Sequence, residues 1–513
     1  MITELVGRHA RERPGDRAVV EIGDGGSTRE WSFGELAAAA EGWATLLASL
    51  GVAPGEPVAY QLPNVLAFIA ISLGVLRIGA VCEPLMPIFR ERELEFMLRE
   101  SGARVLIVPR THRRHDHAQM AQGLRERIPT LEHVLVLDEC ASLPAGAAAT
   151  ELTSAMTAQL LFTSGSTGEP KGVLQTHASL NLAARIHTRH FRLTPADVIY
   201  IPSPLAHQTG FLYGMWIALM LGAPQVIQTS WDAQTGFAAM QQTGVTFVQA
   251  ATPFLADLVR VAGEREQTLT ALRTFVATGA AIPRELARGA REALGAEVGG
   301  AFGTTESCLG AAFVPGGDPD HAWSTDGQAL EGITLRITDD EGNVLPAGAE
   351  GNFEVLTATL FEGYLNRPQL TAAALTEDGY YRTGDLARID AHGNLKITGR
   401  VKDVINRGGE KVPVVEVEQV LYAHPAVSEV AIVAMPDVRL GERACAFVVP
   451  RPGMELDFEE MQRHLDEHRV SKPYWPERLE LVDALPYTPS GKIQKFVLRD
   501  RIAAELERKA VPG

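Results

Sequence analysis

The chain has 513 residues, of which 46% are hydrophobic and 21% charged, a balance typical of globular proteins and long enough for several domain-sized units. Its net charge of −16 argues against a sequence-independent nucleic-acid binder, which needs a cationic surface. A small anionic ligand stays compatible with that charge, because a few local cations and backbone N–H groups can hold one.

Over the first 400 residues, short apolar runs rich in β-branched residues alternate with stretches that carry apolar residues at helical spacing. Residues 57–63, 103–109 and 132–139 are typical of buried strands, and residues 34–50 and 90–101 are typical of helices. This alternation predicts an α/β fold with mainly parallel strands.

Several features bear on where the protein works. The N-terminus carries charges where a signal peptide would need an apolar stretch. Residues 65–86 contain Arg77 and Glu83, and residues 211–227 are too short for a span, so we predict that both are buried core. The four cysteines are far apart and include no CxxC pair, which predicts neither a disulfide framework nor a zinc site. We therefore expect a cytoplasmic protein without a membrane span.

The pattern changes near residue 400. Residues 386–398 predict a β-hairpin whose turn lies at 392–394. A unit of about 110 residues follows, which is large enough to fold independently. We predict that it contains helices and strands at 414–423 (helix), 427–436 and 444–450 (strands), 457–468 (helix) and 478–483 (strand).

The strongest local signal is the segment LLFTSGSTGEPKGV, residues 160–173, in which an apolar strand runs into a loop of glycines and hydroxyl residues. Such a loop lets backbone N–H groups point at an anion, and Lys171 supplies positive charge. It is not a Walker loop, because Lys171 lies between Pro170 and Gly172. The segment therefore predicts a polyphosphate site, and a flexible surface loop is the alternative. The loop residues are Thr163, Ser164, Gly165, Ser166, Thr167 and Gly168.

With this loop and five further motifs, the chain resembles the adenylate-forming superfamily. That superfamily includes acyl-CoA synthetases, non-ribosomal peptide adenylation domains and firefly luciferases. It looks most like a bacterial acyl-CoA synthetase. The resemblance covers essentially the whole chain through six motifs in order, at 160–173, 204–210 (PLAHQTG), 302–306 (FGTTE), 381–385 (YRTGD), 399–403 (GRVKD) and 489–495 (PSGKIQK).

The resemblance implies a fold, a reaction and its cosubstrates. We expect a large N-terminal domain of layered sheets and helices (1–400), a hinge (401–403) that includes Lys402, and a small mobile α+β C-terminal domain (404–513). A carboxylic acid and ATP would give acyl-AMP and pyrophosphate, and coenzyme A would then give acyl-CoA and AMP. ATP, Mg²⁺ and coenzyme A are the implied cofactors and partners, and neither a nucleic acid nor a membrane is expected.

The resemblance also assigns the nucleotide site. Lys171 and Lys492 would neutralise phosphate charge, Glu306 with Thr167 would hold Mg²⁺, and Asp385 would bind the ribose hydroxyls. The superfamily usually has tyrosine at the position of Phe302, whose ring can still stack near adenine. Further nucleotide-binding candidates are Gly279, Ala280, Ala281, Gly303, Thr304, Thr305 and Arg400, beside the loop residues Thr163 to Gly168.

For the acid, the resemblance makes His207 an aromatic gate beside the carboxylate, and a core histidine is the alternative. Residues 204–220 contain no acidic side chain to bind an ammonium group, so an α-amino acid is not expected as the substrate. Small residues around the pocket fit a bulky, medium-chain or cyclic acid. The candidate contacts to the acid or to coenzyme A are Gly210, Gly279, Cys308, Gly310, Gly408 and Gly409.

Two other functions stay open. An acyl-AMP ligase could load a separate carrier protein instead of coenzyme A. A non-catalytic nucleotide-binding protein would share the fold, although the presence of Lys171, Glu306, Asp385 and Lys492 argues against it. A homodimer is an expectation at the level of the fold only.

Overall fold

The computed structural model describes residues 1–140, 142–146, 148–163, 170–279, 282–401, 403–408, 410–487 and 493–510. Helices are distributed along the whole chain. They are α1 (Ile2–Glu12), α2 (Phe33–Ser49), α3 (Leu66–Arg77), α4 (Glu91–Ser101), α5 (His117–Arg127), α6 (His177–His190), α7 (Gln208–Gly210), α8 (Ile217–Leu221), α9 (Ala233–Thr243), α10 (Thr252–Arg265), α11 (Arg284–Leu294), α12 (Pro319–Ser324), α13 (Pro368–Ala373), α14 (Val414–Tyr422), α15 (Phe458–Glu467) and α16 (Lys495–Ala510).

Most strands are short and separated by helices in the first 300 residues, and they follow one another more directly after that. They are β1 (Arg17–Ile22), β2 (Thr28–Ser32), β3 (Pro57–Tyr60), β4 (Val81–Pro84), β5 (Val105–Val108), β6 (Thr111–His112), β7 (His115–Asp116), β8 (His133–Val136), β9 (Thr157–Thr163), β10 (Lys171–Thr176), β11 (Ile199–Ile201), β12 (Gln225–Gln228), β13 (Phe247–Ala251), β14 (Thr274–Thr278), β15 (Glu297–Thr304), β16 (Cys308–Ala312), β17 (Gln328–Ala329), β18 (Thr334–Thr338), β19 (Gly351–Leu356), β20 (Gly363–Tyr364), β21 (Tyr381–Ile389), β22 (Leu395–Arg400), β23 (Ile405–Arg407), β24 (Glu410–Val412), β25 (Val427–Asp437), β26 (Gly441–Pro450) and β27 (Arg478–Leu481).

Two large sheets form the first part of the molecule. One has the order β17-β16-β15-β14-β13-β11-β12-β1-β2 and the other β20-β10-β9-β4-β3-β5-β8. The strand pairs in the middle of each sheet are parallel, and the antiparallel pairs lie toward the edges. The prediction of an α/β fold with mainly parallel strands is therefore confirmed.

The main core lies between these two sheets. It is filled by α2, α3, α6 and the helical segment that ends in α8, with Trp216 completely buried. The opposite faces of the sheets are covered by α9, α10 and α11 on one side and by α4 and α5 on the other. Both faces of each sheet are thus covered, which is why central strands such as β5, β12, β13 and β14 are buried throughout instead of alternating between buried and exposed residues.

Local sequence signals explain where individual elements begin. The helix expected at 34–50 is α2, which starts at Ser32 because the Ser32 hydroxyl accepts from the Glu35 N–H while the Glu35 carboxylate accepts from the Ser32 N–H. The strands expected at 57–63, 103–109 and 132–139 are β3, β5 and β8, each shorter than predicted. The apolar stretch 65–86 forms α3 and β4 in the core, and no helix among the described residues could cross a membrane.

After these sheets come a four-stranded antiparallel sheet (β18-β19-β21-β22) and a C-terminal sheet of β24-β23-β26-β25 with β27 beside β26. The hairpin predicted at 386–398 is confirmed as β21 and β22. In the C-terminal part, α14, β25, β26, α15 and β27 lie close to their predicted positions. The sequence analysis did not predict β23, β24 or the long helix α16.

Candidate active site

A cavity of about 50 Å³ lies where β13, β14 and β15 end and meet the helical segment after His207. Parallel strands bring their carboxyl ends to one edge of a sheet, which is where α/β proteins commonly bind ligands. The cavity therefore joins three stretches that the sequence analysis singled out, at 207–210, at 279 and at 303–310. Its lining residues are His207, Gln208, Thr209, Tyr213, Ala251, Thr278, Gly279, Gly303, Thr304, Thr305 and Leu309.

Strand β10 brings a cation, an acid and a phenol together beside this cavity. Lys171 starts the strand, and its ammonium lies 4.9 Å from the centre of the Tyr364 ring on neighbouring β20. The Tyr364 hydroxyl donates to Glu306 Oε1 at 2.8 Å. Burial, and then the charge of Glu306, raise the pKa of Tyr364 above its ordinary value, so the phenol stays protonated and can donate. Tyr364 thus orients the Glu306 carboxylate and contacts Lys171.

The backbone around Glu306 is anchored at three points. Gln175, further along β10, donates from Nε2 to the Thr305 carbonyl at 2.8 Å. The Phe361 N–H donates to the Glu306 carbonyl at 2.7 Å, and the Thr359 hydroxyl donates to the Ser307 carbonyl at 2.7 Å. The turn after β15 is therefore held rigidly, as a preorganised charge-binding site requires.

Asp385 lies on β21 opposite Arg400 on β22. The side chain of Asp385 is almost fully buried, and Oδ1 accepts from Arg400 Nε at 3.2 Å. Burial, followed by the charges of Glu306 and Asp385, raises the pKa of Tyr381 above its ordinary value, so Tyr381 lies within electrostatic range of both acids. The motifs at 302–306 and 381–385 are thus brought to the same region.

A further acid, Asp326, also belongs to this region. Its Oδ2 accepts from the Ile397 N–H at 2.8 Å. Burial raises the pKa of Asp326 to about 6, and the charge of Asp385 acts in the same direction. The sequence analysis missed Asp326, and the pair Asp326-Gly327 has no feature that distinguishes it from an ordinary turn.

Some of the residues expected near the nucleotide have a structural role in this fold. Phe302 packs edge-on against Phe353, with ring centres 5.0 Å apart. The Thr304 hydroxyl accepts from the Ser307 N–H at 3.0 Å and so closes the turn after β15. Gly303 is required for packing, because a Cβ atom there would lie 2.7 Å from the Cys308 carbonyl oxygen.

On the acid side, His207 lies at the rim of the cavity, where its Nδ1 accepts from the Thr209 N–H at 3.3 Å. Gly210 is small for a structural reason, since a Cβ atom there would lie 2.3 Å from the Pro204 carbonyl oxygen. Among the described residues, neither Gly210 nor Gly310 lines the cavity. Cys308 is fully buried behind it, and burial raises the pKa of its thiol to about 12. A thiol that stays protonated is a poor nucleophile.

The remaining candidates lie elsewhere. Thr163 ends β9 opposite Lys171, at the two ends of the phosphate loop. Gly408 lies at the turn between β23 and β24 in the C-terminal part. Other candidates fall outside the described residues, namely Ser164, Gly165, Ser166, Thr167, Gly168, Ala280, Ala281, Lys402, Gly409 and Lys492.

The described residues offer oxygen ligands for one hard cation. Glu306 Oε1 is hydrogen-bonded to Tyr364, and no group of three or more His, Cys, Asp or Glu side chains that could hold a metal occurs in the described ranges. A single carboxylate fits Mg²⁺, which usually takes one or two carboxylates together with substrate phosphates. A zinc-type site would need several nitrogen or sulfur ligands.

Comparison with known proteins agrees with this geometry. A family model described as AMP-binding enzyme matches residues 6–365, and one described as AMP-binding enzyme C-terminal domain matches residues 416–492. The chain is 37% identical over 511 residues to the medium-chain fatty-acid–CoA ligase of Escherichia coli (strain K12), covering 97% of this chain and 89% of that protein. It is 30% identical over 508 residues to the 2,3-dihydroxybenzoate-AMP ligase of Bacillus subtilis (strain 168), covering 96% and 92%.

Solved structures show the same architecture. The anthranilate CoA ligase AuaEII in complex with anthranoyl-AMP superposes with a TM-score of 0.90 at 25% identity, covering 99% of this chain and 98% of that one. ATP-bound MatB from Rhodopseudomonas palustris gives a TM-score of 0.87 at 25% identity, with 98% and 99% covered. A large N-terminal domain of layered sheets and helices followed by a smaller C-terminal domain is thereby confirmed.

Proposed function

Because the chain belongs to the family of AMP-binding, adenylate-forming enzymes, we propose that it is an ATP-dependent carboxylic acid–CoA ligase. Membership of this family makes the protein an adenylate-forming acid ligase, and the proposal adds that coenzyme A accepts the acyl group. In the first half-reaction a carboxylate oxygen attacks the α-phosphorus of ATP and pyrophosphate leaves. In the second, the sulfur of coenzyme A attacks the acyl carbon and AMP leaves.

One observation carries the proposal. His207 and Thr305, from two separate motifs, line a single cavity together with the candidate Gly279, and the Glu306 cluster adjoins it through the neighbouring Thr305. An acid in the cavity would therefore meet a nucleotide at the turn after β15. Such proximity is what a reaction between two bound substrates needs.

The barrier in the first half-reaction is electrostatic, because an anion approaches a polyanion. Lys171 would neutralise phosphate charge, and Lys492 would act at the α-phosphate and the attacking carboxylate. Asp385, steadied by Arg400, would accept hydrogen bonds from the ribose hydroxyls. Mg²⁺, when bound at Glu306 together with the hydroxyl of Thr167, would offset the charge of the phosphates.

The second half-reaction requires a change of arrangement. We propose that residues 404–513 move relative to residues 1–400 about a hinge at 401–403, with Lys402 absorbing the backbone change. Gly408 and Gly409 would then border the path of the pantetheine arm. Lys492 would serve the first half-reaction only.

The acid is proposed to be bulky, medium-chain or cyclic. The relatives support this range by their printed names, since they act on a medium-chain fatty acid or on 2,3-dihydroxybenzoate, and others on salicylate or ferulate. One relative is named both a salicyl-AMP ligase and a salicyl-S-ArCP synthetase. Loading of a carrier protein is therefore the second candidate for the acceptor.

Mass spectrometry tests the proposal. The purified protein would be incubated with ATP, Mg²⁺ and a panel of aliphatic, alicyclic and aromatic acids, with and without coenzyme A. We expect acyl-CoA and AMP only when coenzyme A is present. Acyl-AMP that accumulates equally in both samples would move the acceptor to a carrier protein, and ATP binding without any pyrophosphate release would support a non-catalytic nucleotide-binding protein.

A further inference from the structure

Two polar side chains at the acid end of the cavity have hydrogen-bonding groups that no described residue satisfies. Gln208 is 3% exposed and lines the cavity, and its Oε1 has no partner in the described part of the chain. Within the described residues its Nε2 reaches only the Cys308 sulfur, at 4.0 Å. Tyr213 also lines the cavity. Its buried hydroxyl oxygen is approached by the Leu309 N–H, and within the described residues the hydroxyl has no acceptor for its own proton.

More polar groups lie behind Gln208 and Tyr213, further from the cavity. Side chains alternate along a strand, so Gln249 on β13 is on the same face as the cavity-lining Ala251 and one step deeper. Both amide atoms of Gln249 lack partners among the described residues. The ring of His187 stacks on Tyr213, with centres 5.1 Å apart, and neither of its nitrogens has a described partner.

These groups are neutral. Burial lowers the pKa of His187 to about 3 and raises that of Tyr213 well above its ordinary value, so neither carries charge near neutral pH. No lysine, arginine, aspartate or glutamate is among the described residues that line the cavity. A second charged group on the acid would therefore be buried without a counter-ion, at a large cost.

A purely hydrocarbon acid would leave the same polar groups unpaired. Each buried polar group without a partner destabilises the complex, and an apolar ligand that excludes water leaves such a group with no replacement partner. A hydroxyl group can both donate and accept, so it can donate to the Gln208 oxygen and accept from the Tyr213 hydroxyl.

We propose that the acid activated by this enzyme carries a neutral hydroxyl substituent, which Gln208 and Tyr213 recognise. This inference rests on the proposed function, because it concerns the acid that the ligase activates. Gln208 is then a specificity-determining residue that contacts the substrate and selects hydroxylated acids over their unsubstituted counterparts.

The test uses matched pairs of acids in an ATP–pyrophosphate exchange assay. Benzoate is compared with its three monohydroxy isomers, and octanoate and cyclohexanecarboxylate with their monohydroxy derivatives. For at least one pair we expect kcat/KM to be about 10-fold or more higher for the hydroxylated member, as a site built for a hydrogen bond discriminates against the analogue that lacks it. Equal values within every pair would overturn the inference and leave the proposed function intact. No exchange with any acid would overturn both.

A substitution at Gln208 tests whether this residue causes the preference for hydroxylated acids. Gln208→Met keeps the length of the side chain and removes its hydrogen-bonding groups, so the preference should fall to about 2-fold or less while the unsubstituted acid is used as well or better. The matched control is Gln225→Met, because Gln225 is also buried with both amide atoms unpartnered in the described structure but lies at the start of β12, away from the cavity. If both variants retain the preference, or both lose it, Gln208 does not determine specificity.

Discussion

The nucleotide side and the acid side of the candidate site differ in how their polar groups are satisfied. On the nucleotide side, Glu306 is held by Tyr364 and Asp385 by Arg400. On the acid side, Gln208 Oε1 has no hydrogen-bond donor and the Tyr213 hydroxyl has no acceptor among the described residues. Charged groups must be held in place before the substrate binds if they are to stabilise a transition state. Neutral groups that recognise the substrate can instead form their hydrogen bonds with the substrate when it binds.

This difference predicts how the two sides respond to substitution. Changes on the nucleotide side should affect every acid equally and should alter rate or metal dependence. Changes on the acid side should alter the ranking of acids and leave the nucleotide requirements as they were. The experiments below test that division, from the largest expected effect on catalysis to the smallest.

The largest effect is expected for Lys492→Ala. Loss of one cation that acts on the developing charge should lower the rate of acyl-AMP formation by about 100-fold or more, with every acid. Thioester formation from supplied acyl-AMP should be largely spared, because the proposed mechanism uses Lys492 only in the first half-reaction. Separate assays of the two half-reactions measure this, with Lys472→Ala, an exposed lysine in the same C-terminal part, as the control. Equal losses in both half-reactions would contradict the assignment.

A smaller effect is expected for Tyr364→Phe. The variant keeps the ring beside Lys171 and removes the hydroxyl that holds Glu306, so the carboxylate is no longer oriented. The Mg²⁺ concentration for half-maximal activity should rise by about 3- to 10-fold, within the range seen for residues that orient a metal ligand. Binding of Mn²⁺ in the presence of ATP, followed by electron paramagnetic resonance, should weaken in parallel.

Tyr380→Phe is the matched control for this tyrosine. Tyr380 follows β20 in the chain and stacks its ring under Arg336, 3.7 Å from the ring centre, a contact that phenylalanine preserves. Its substitution should leave the Mg²⁺ dependence unchanged. If Tyr364→Phe behaves like this control, Tyr364 does not position Glu306.

The same division explains what could be predicted from the sequence. Lys171 lies in a loop whose residue types predict a phosphate site, whereas Glu306 and Asp385 were assigned through the family resemblance. The structure brings the three motifs to one region. Tyr364 was missed because it acts through Glu306, from a strand pairing that a single sequence does not reveal. Gln208 was passed over although it follows His207 directly in a quoted motif, since a missing hydrogen-bond partner becomes visible only when the fold is known.

Small residues were the least informative guide to the pocket. Gly210 was expected to contact the acid or coenzyme A and Gly303 to lie near the nucleotide, but the space that their Cβ atoms would need is occupied by backbone carbonyls. A glycine in a motif can thus indicate that two backbone segments pack closely, and it does not by itself indicate an open cavity. Strand boundaries were also predicted too long at β3, β5 and β8, where flanking residues such as Pro63, Pro109 and Asp138 lie outside the strands.

The smallest effect on catalysis is expected for Glu83→Gln, which tests whether every unpartnered buried group serves a ligand. Glu83 on β4 is completely buried, and neither carboxyl oxygen has a hydrogen bond of normal geometry within the described residues. Burial raises the pKa of Glu83 to about 8, against a weaker opposite influence of Ser101. Glu83 is not among the described residues that line the cavity, so its substitution should leave the ranking of acids unchanged.

The effect on stability should instead depend on pH. Between about pH 4.5 and pH 8 the folded protein keeps the proton on Glu83 while the unfolded chain loses it, so the free energy of unfolding should fall by about 1.4 kcal/mol per pH unit from this group alone. Glu83→Gln removes that slope, and its stability advantage over the unsubstituted protein should grow from pH 5 to pH 8 in urea unfolding. Glu292→Gln, at an exposed position on α11, should show no such trend. A constant advantage would mean that Glu83 is ionised when folded. A gain in stability without a change in specificity would separate Glu83 from Gln208, whose substitution is expected to change specificity.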